Sequence, residues 1–232
     1  MATEAASWQA IRSEVLDRLR RRDWAPGDFL PHDDELAREF GCARATVSRA
    51  LRDLAEAGLL DRRRKAGTRV AVNPVRKATL EIPIIRQEIE QRGRRYGYAL
   101  ITRDEAPAPL EVRSVLGLGA GSRLLHVKAL HLADDAPWCI EDRWINPQAV
   151  PGIMSVDLSA ISANQWLVQN TPYSHGTLTL SAALADADTA PVLRCAPGAP
   201  VFVIERATHL LDQPITFLRQ THPGTHRMTT SV

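Results

Sequence analysis

Residues Pro26 to Val72, PGDFLPHDDELAREFGCARATVSRALRDLAEAGLLDRRRKAGTRVAV, decide the fold, because they set two short helices, a tight turn and a basic hairpin in one order. In the second helix Val47, Ala50, Leu51 and Leu54 recur at helical spacing and form an apolar stripe. The opposite face carries Ala45, Ser48, Arg49 and Arg52. Short side chains beside arginines let a helix lie deep in a major groove while guanidiniums reach phosphates or a guanine edge. An isolated Arg-rich helix is ordinarily a solvated face, so the neighbouring segments have to decide. The first helix is expected from about Asp33 to Phe40, with Leu36, Ala37 and Phe40 inward and Gly41 ending it in a left-handed turn. After the second helix Gly58 stops the chain, Leu59 and Leu60 open an extended segment, and Arg62 to Lys65 put four consecutive cations on a hairpin that Gly67 helps to turn. Such a hairpin is expected to track phosphates. The whole is the layout of a winged helix-turn-helix.

These residues resemble the amino-terminal DNA-binding domain of GntR-type bacterial transcription regulators. The resemblance covers roughly residues 7 to 72: PG-x-x-LP at Pro26 to Pro31, ELA at Glu35 to Ala37, R-x-T-V-x-R-A at Arg44 to Ala50, L-x-x-L-x-x-x-G-L at Leu51 to Leu59, and GT-x-V at Gly67 to Val70. It implies DNA contacts from Arg44, Thr46, Ser48 and Arg49, with Ala45 and Arg52 on the same face, and a wing of Arg64, Lys65, Gly67 and Thr68 entering the adjacent minor groove. The chain departs from the family at three points. His32 stands where a Ser cap is usual, Asp34 where many members carry a phosphate-contacting Arg, and Lys65 replaces the first Gly of the wing tip. An acid at position 34 repels the DNA backbone.

The length of 232 residues suits two modest domains. The net charge of +2 says little by itself, but its distribution does. Residues 1–77 hold 16 Lys and Arg against 12 Asp and Glu, and the remainder holds 13 against 15, so the excess of cations lies in the winged part. Cys42, Cys139 and Cys195 are odd in number, far apart and without metal-like spacing, which fits a reduced cytosol. No apolar run approaches the ~18 residues of a membrane span, and no signal-like segment opens the chain, so a cytoplasmic protein is expected.

An amphipathic helix from Trp8 to Arg22 precedes the winged core, with Trp8, Ile11, Val15, Leu16 and Leu19 on one side and arginines at its carboxyl end. The domain limits are set at 1–73 for the winged unit, 74–80 for a linker rich in Pro and basic residues, and 81–232 for a second domain. There a helix opened by Pro83 leads into the extended YGYALITRDE, and a short helix spans Leu110 to Leu118. Arg123 to Ala133 and Trp138 to Asn146 form an antiparallel hairpin around Asp134 to Pro137. A helix at Ala160 to Gln169, a strand at Thr177 to Ala185, a short helix at Asp188 to Cys195 and a last hairpin around Asp212 and Gln213 follow. The fold class is therefore α+β, with an antiparallel sheet in the second domain.

A second resemblance, over about Glu81 to Val232, is to the UTRA effector domain of the HutC branch of that family, whose fold is similar to chorismate lyase. It rests on Gln91-Arg92-Gly93, on Pro137 with Ile140 to Arg143 and Ile145 to Pro147, on Val150-Pro151, on Pro197-Gly198 and on His222-Pro223-Gly224. Together these look most like histidine-utilisation repressors, which respond to urocanate, while other members of the branch sense different metabolites. In this chain Leu178 and Ser181 stand where those repressors tend to carry a His and an acid, so another small carboxylate or metabolite stands beside urocanate as the ligand.

A pocket for a small anion needs a cation, a carboxylate for a donor on the ligand, and a ring. Strand alternation puts Val127, Ala129 and His131 on one face with Glu141, Arg143 and Ile145, and puts His126, Lys128 and Leu130 on the other with Trp138, Ile140, Asp142 and Trp144. The resemblance implies Glu141 as a ligand contact. Arg143, facing the same way, meets either a ligand anion or Glu141 itself, in an internal pair that holds the hairpin together. His131, Arg206 and Thr208 are further effector candidates, and Tyr173 is expected to close one edge. The spacing of His222 and His226 is broken by Pro223 and Gly224, and no catalytic, metal or cofactor motif occurs. The expectation is a homodimeric regulator, of repressor type by its resemblance, binding a palindromic operator in double-stranded DNA and modulated by a small-molecule effector, with no membrane partner. The alternative is a lyase-like enzyme domain fused to a DNA-binding module.

Overall fold

The computed structural model describes residues 7–63, 67–71 and 82–229. The chain divides into two compact units, Met1–Glu81 with Pro172–His175, and Ile82–Thr171 with Gly176–Val232. The expected linker at 74–80 lies outside the described residues, as do Arg64 and Lys65 at the wing tip.

The first unit is built on α1 (Trp8–Arg21), α2 (Asp33–Glu39) and α3 (Arg44–Glu56), followed by β1 (Leu60–Arg63) and β2 (Gly67–Val70). The Ser7 hydroxyl caps α1 by accepting from the Ala10 amide, and Arg22 ends the helix in a left-handed conformation. Ile11, Val15, Leu16 and Leu19 face Val47, Ala50, Leu51 and Leu54 of α3, all of them buried. No side chain caps α3, so its stability comes from that apolar stripe, where each large aliphatic residue contributes about 1.5–3 kcal/mol on burial. Gly41, with φ of +61°, makes the turn from α2 to α3, where a side chain would be strained. Strands β1 and β2 pair antiparallel from Leu60 with Val70 to Arg63 with Gly67. The segment before α2 lies along β2 through Gly27 to Val70, Val70 to Asp28 and Leu30 to Thr68 backbone hydrogen bonds, which leaves β1 as the outer strand of the wing.

The second unit is one six-stranded sheet in the order β3-β4-β5-β8-β7-β6, comprising β3 (Tyr96–Pro107), β4 (Arg123–Ala133), β5 (Ala136–Ile145), β6 (His175–Leu184), β7 (Pro200–Leu210) and β8 (Gln213–Pro223). Helix α4 (Ile85–Gln91) starts two residues after Pro83, and α5 (Leu110–Leu116) ends at the left-handed Gly117. Helix α6 (Ala163–Asn170) starts three residues later than expected, because Ser162 is its cap and accepts from the Gln165 amide. A short helix α7 (Thr189–Leu193) and a single 3-10 turn at Pro151–Ser155 complete the unit.

The turn of the β4–β5 hairpin is only Asp134-Asp135, both at positive φ (51° and 62°), the two-residue geometry that matches strand twist. One face of the sheet packs Leu124, Trp144, Ala207 and Phe217 against Val112 and Leu116 of α5, and Ile140, Val201 and Val203 against Ala190 and Leu193 of α7. On the other, Ala133, Trp138 and Cys139 meet Ile85 and Ile89 of α4. Trp138 thus departs from the alternation that grouped it with Ile140. A register shift between His131 and Leu132 inserts an extra residue opposite β4, so the count by twos fails there.

Candidate DNA-binding face and effector site

Burial of the inner stripe of α3 leaves Arg44, Ala45, Arg49 and Arg52 exposed, with Thr46 and Ser48 half-buried beside them. The helix begins at Arg44, so Arg44 and Thr46 occupy the first turn, where backbone amides and the positive end of the helix dipole favour a phosphate. Three side chains already have partners. Arg49 holds its guanidinium 4.5 Å from the centre of the Trp8 ring. Arg44 lies 3.3 Å from the Asp34 carboxylate, in a pair about two-thirds exposed on each side. Ser48 accepts from Arg62 of the wing, which also reaches Asp33. Arg62 therefore does not project freely, as a run of four phosphate-tracking cations required. Thr68 is also corrected: it is buried (6% exposed) on β2, the inner strand of the wing, and so offers a groove less than the resemblance implied. Gly67 has φ of +85° and lies against Phe29, itself 63% exposed.

In the second unit the registers place expected residues side by side. Ala129, Glu141, Gln220 and Ile204 form one row across β4, β5, β8 and β7, and Val127, Arg143, Leu218 and Arg206 form the next. Arg143 and Arg206 thus flank Leu218 on one face, two strand spacings or roughly 10 Å apart. Thr208 continues along β7 opposite Thr216. Each of His131, Glu141, Arg143, Arg206 and Thr208 is buried.

Glu141 is at the centre. Its Oε1 accepts from Arg143 Nε at 2.5 Å, and its Oε2 lies 2.9 Å from His131 Nε2, whose Nδ1 is 2.9 Å from the Tyr96 hydroxyl. His131 Nε2 thus donates to Glu141, and its Nδ1 shares the second hydrogen bond with the Tyr96 hydroxyl. Burial opposes ionisation of Glu141, but the charge of Arg143 and the hydrogen bond and charge of His131 outweigh it and hold the carboxyl down at about 2. Of the two readings of Arg143, the structure shows the internal pair with Glu141. Burial pushes the hydroxyls of Tyr96 and Tyr98 up, so both are neutral donors beside the cluster. Tyr98 donates to the Leu158 carbonyl and tilts against the His131 ring at 5.3 Å.

Tyr173 is not grouped with these residues, because segment 172–175 clusters with the first unit. Tyr96, Tyr98, Gln220 and His222 were not foreseen. Gln220 and His222 share the parity of Thr216 along β8, a signal the alternation of that strand carries. His222 donates from Nδ1 to the Trp138 carbonyl, and burial, with the neighbouring His226 second, lowers it to about 3. Leu178 is half-buried and Ser181 exposed on the edge strand β6. Among the described residues no group of three or more His, Cys, Asp or Glu converges to hold a metal, and no helix is long and apolar enough to cross a membrane.

A winged helix-turn-helix with an arginine-bearing outer face, carried on the same chain as an antiparallel sheet with a charged interior, defines a transcription regulator with an effector domain. Residues 8–70 match the gntR family of bacterial regulatory proteins and residues 91–227 match the UTRA domain, so the chain belongs to the GntR family, in its HutC branch. It is similar to the histidine utilization repressor of Pseudomonas putida, 32% identical over 225 residues (97% of this chain, 91% of the relative). It is also similar to the transcriptional repressor NagR of Bacillus subtilis, 28% identical over 202 residues (86% and 83%). Among solved structures, the carboxyl-terminal domain of the histidine utilization repressor from Pseudomonas syringae pv. tomato superposes with a TM-score of 0.56 at 31% identity, covering 60% of this chain and 99% of that one. PhnF from Mycobacterium smegmatis gives 0.58 at 26% identity, covering 96% and 98%. The Pseudomonas and Bacillus relatives are repressors by name, which opposes the lyase-like alternative.

Two outcomes follow from this geometry. Asp34→Asn frees Arg44 of a competing carboxylate, so affinity for random-sequence duplex DNA rises several-fold at low salt, and the plot of log affinity against log salt steepens by up to about one phosphate contact; filter binding across a salt series measures both. Glu141 has a folded-state pKa below its unfolded value, so the stability it contributes is present above the unfolded pKa near 4.5 and lost as pH falls toward about 2. That contribution is on the order of 3 kcal/mol. Urea melts of Glu141→Gln are expected to show lower stability at neutral pH and a flatter loss between pH 4.5 and 2 than the parent chain.

Proposed function

We propose that the chain is a repressor of a catabolic operon that binds a palindromic operator as a homodimer and is modulated by a small carboxylate-bearing metabolite. The observation that carries the reading is the division of α3: its apolar stripe is fully buried, and its other face offers Arg44, Ala45, Thr46, Ser48, Arg49 and Arg52. Two such helices related by a two-fold axis suit half-sites about one helical turn apart. Arg64, Lys65 and Gly67 at the wing are proposed to follow the adjacent minor groove.

The effector is proposed to bind over the buried sheet face at His131, Glu141, Arg143, Arg206 and Thr208. Arg143 and Arg206 are the cations for a carboxylate, Glu141 the acceptor for a ligand N–H, and Tyr96 and Tyr98 the rings. An imidazole-bearing acid of the urocanate type fits this donor set, and the names of the Pseudomonas relatives support a link to histidine breakdown. Effector binding acts by favouring one of two arrangements of the dimer with different affinity for the operator. The composition and cysteine usage support a cytoplasmic setting.

Selection from a random-sequence duplex pool with the purified chain, followed by gel shift, is expected to yield a two-fold symmetric site bound by a dimer. Against that site Arg49→Ala loses about 1–3 kcal/mol of affinity where Arg49 reads a base bidentately, and less where it meets phosphate. Failure to enrich any duplex overturns the operator reading. Melting with a panel of small carboxylates that includes urocanate tests the effector separately, since a ligand at 100 times its Kd stabilises the native state by about 2.7 kcal/mol. A panel that leaves the melting point of the parent chain unmoved, at concentrations that span metabolite levels, removes the effector role.

A further inference from the structure

Among the described residues, a side-chain tie from the wing to the helix-turn-helix splits a single guanidinium between both helices. Arg62 lies on β1, the outer strand of the wing. Its Nη2 donates to Asp33 Oδ2 in the first turn of α2 at 2.6 Å. Its Nη1 donates to the backbone carbonyl of Ser48 in α3 at 2.8 Å and lies 3.3 Å from the Ser48 hydroxyl. The Asp33 side chain is 14% exposed and that of Arg62 28%, so solvent screens the pair less than the exposed Arg44–Asp34 pair beside it. The planar fork of an arginine is what permits one residue to satisfy a carboxylate and a carbonyl on different elements.

The wing needs such a tie. Strands β1 and β2 are four residues each, and a ribbon of that size is marginal alone. The backbone bonds from the 27–30 segment hold β2, the inner strand, whereas β1 is farther from them. A cation already neutralised by a half-buried acid has little charge left to release counterions from DNA.

We infer that Arg62 is a positioning residue, which sets the angle of the wing against the recognition helix and does not itself neutralise a phosphate. The inference rests on the operator-binding reading above, and Asp33 and Ser48 are its partners in that role.

The test compares the parent chain with Arg62→Ala, Arg62→Lys, Asp33→Asn and the Arg62→Ala/Asp33→Asn double variant. The probes are a duplex selected by the parent chain and a random-sequence duplex. Melting points above the assay temperature show that each variant is folded. A clamp predicts that Arg62→Ala and Asp33→Asn each lose about tenfold in affinity for the selected duplex, and that the double variant is no worse than either. It further predicts that Lys fails to rescue and that the salt dependence keeps the parent slope. A phosphate contact predicts the opposite: a slope flattened by about 0.9 in Arg62→Ala, recovery with Lys, and stronger binding in Asp33→Asn. Any of these, or unchanged affinity throughout, overturns the inference. Should Arg62→Ala not fold, Asp33→Asn and Arg62→Lys give opposite answers under the two roles and decide alone. Should the parent chain select no duplex, the operator reading has failed; amide exchange along 60–63 then still tests the clamp, which predicts faster exchange in Asp33→Asn and is overturned by an unchanged rate.

Discussion

Everything at the DNA-facing end depends on the burial of one stripe of α3. Val47, Ala50, Leu51 and Leu54 are inaccessible to solvent, and α3 packs against α1 and α2, which bury Ile11, Val15, Leu19 and Leu36. The helix has no capping side chain and, at 13 residues, is marginal alone, so tertiary packing decides its stability and orientation. Once that stripe is fixed, the 100° step between residues fixes the outer face as well. The arginines are therefore presented by hydrophobic contacts on the far side of the helix.

The same logic in strand form governs the second unit. Alternation carries His131, Glu141, Arg143, Arg206 and Thr208 to one face, and the antiparallel registers bring them within reach of one another. A buried carboxylate is costly unless it is paired and hydrogen-bonded. Here Arg143 supplies the charge and His131, backed by Tyr96, a further hydrogen bond. The opposite face packs two apolar clusters under α5 and α7, with the ionic row Lys128, Asp142, Arg219 and Glu205 running between them.

What was legible in the sequence was whatever a local period encodes. The two helices of the turn, Gly41, the β4–β5 hairpin and the common face of Glu141 and Arg143 follow from spacings of 3.6 or 2. Features set by partners distant in sequence were not legible. Trp138 was assigned to the wrong face because one bulge breaks the count. Tyr96 and Tyr98 were missed because the register of β3 on β4 is not written in either strand. The inward turn of Arg62 depends on Asp33, 29 residues earlier, and nothing in a run of four cations distinguishes the one that is spoken for. Helix α6 starts later than the sequence suggests because Ser162 caps it by accepting from the Gln165 amide, a contact the apolar spacing does not encode.

The internal pairing of Glu141 has a consequence for any anionic ligand. Burial alone drives this carboxyl toward its neutral form, and Arg143 is the strongest influence against that. An incoming carboxylate that recruits Arg143 takes that counter-charge away, and the carboxyl recovers its affinity for hydrogen ions. A bound anion and the Glu141 carboxylate would thus compete for one guanidinium.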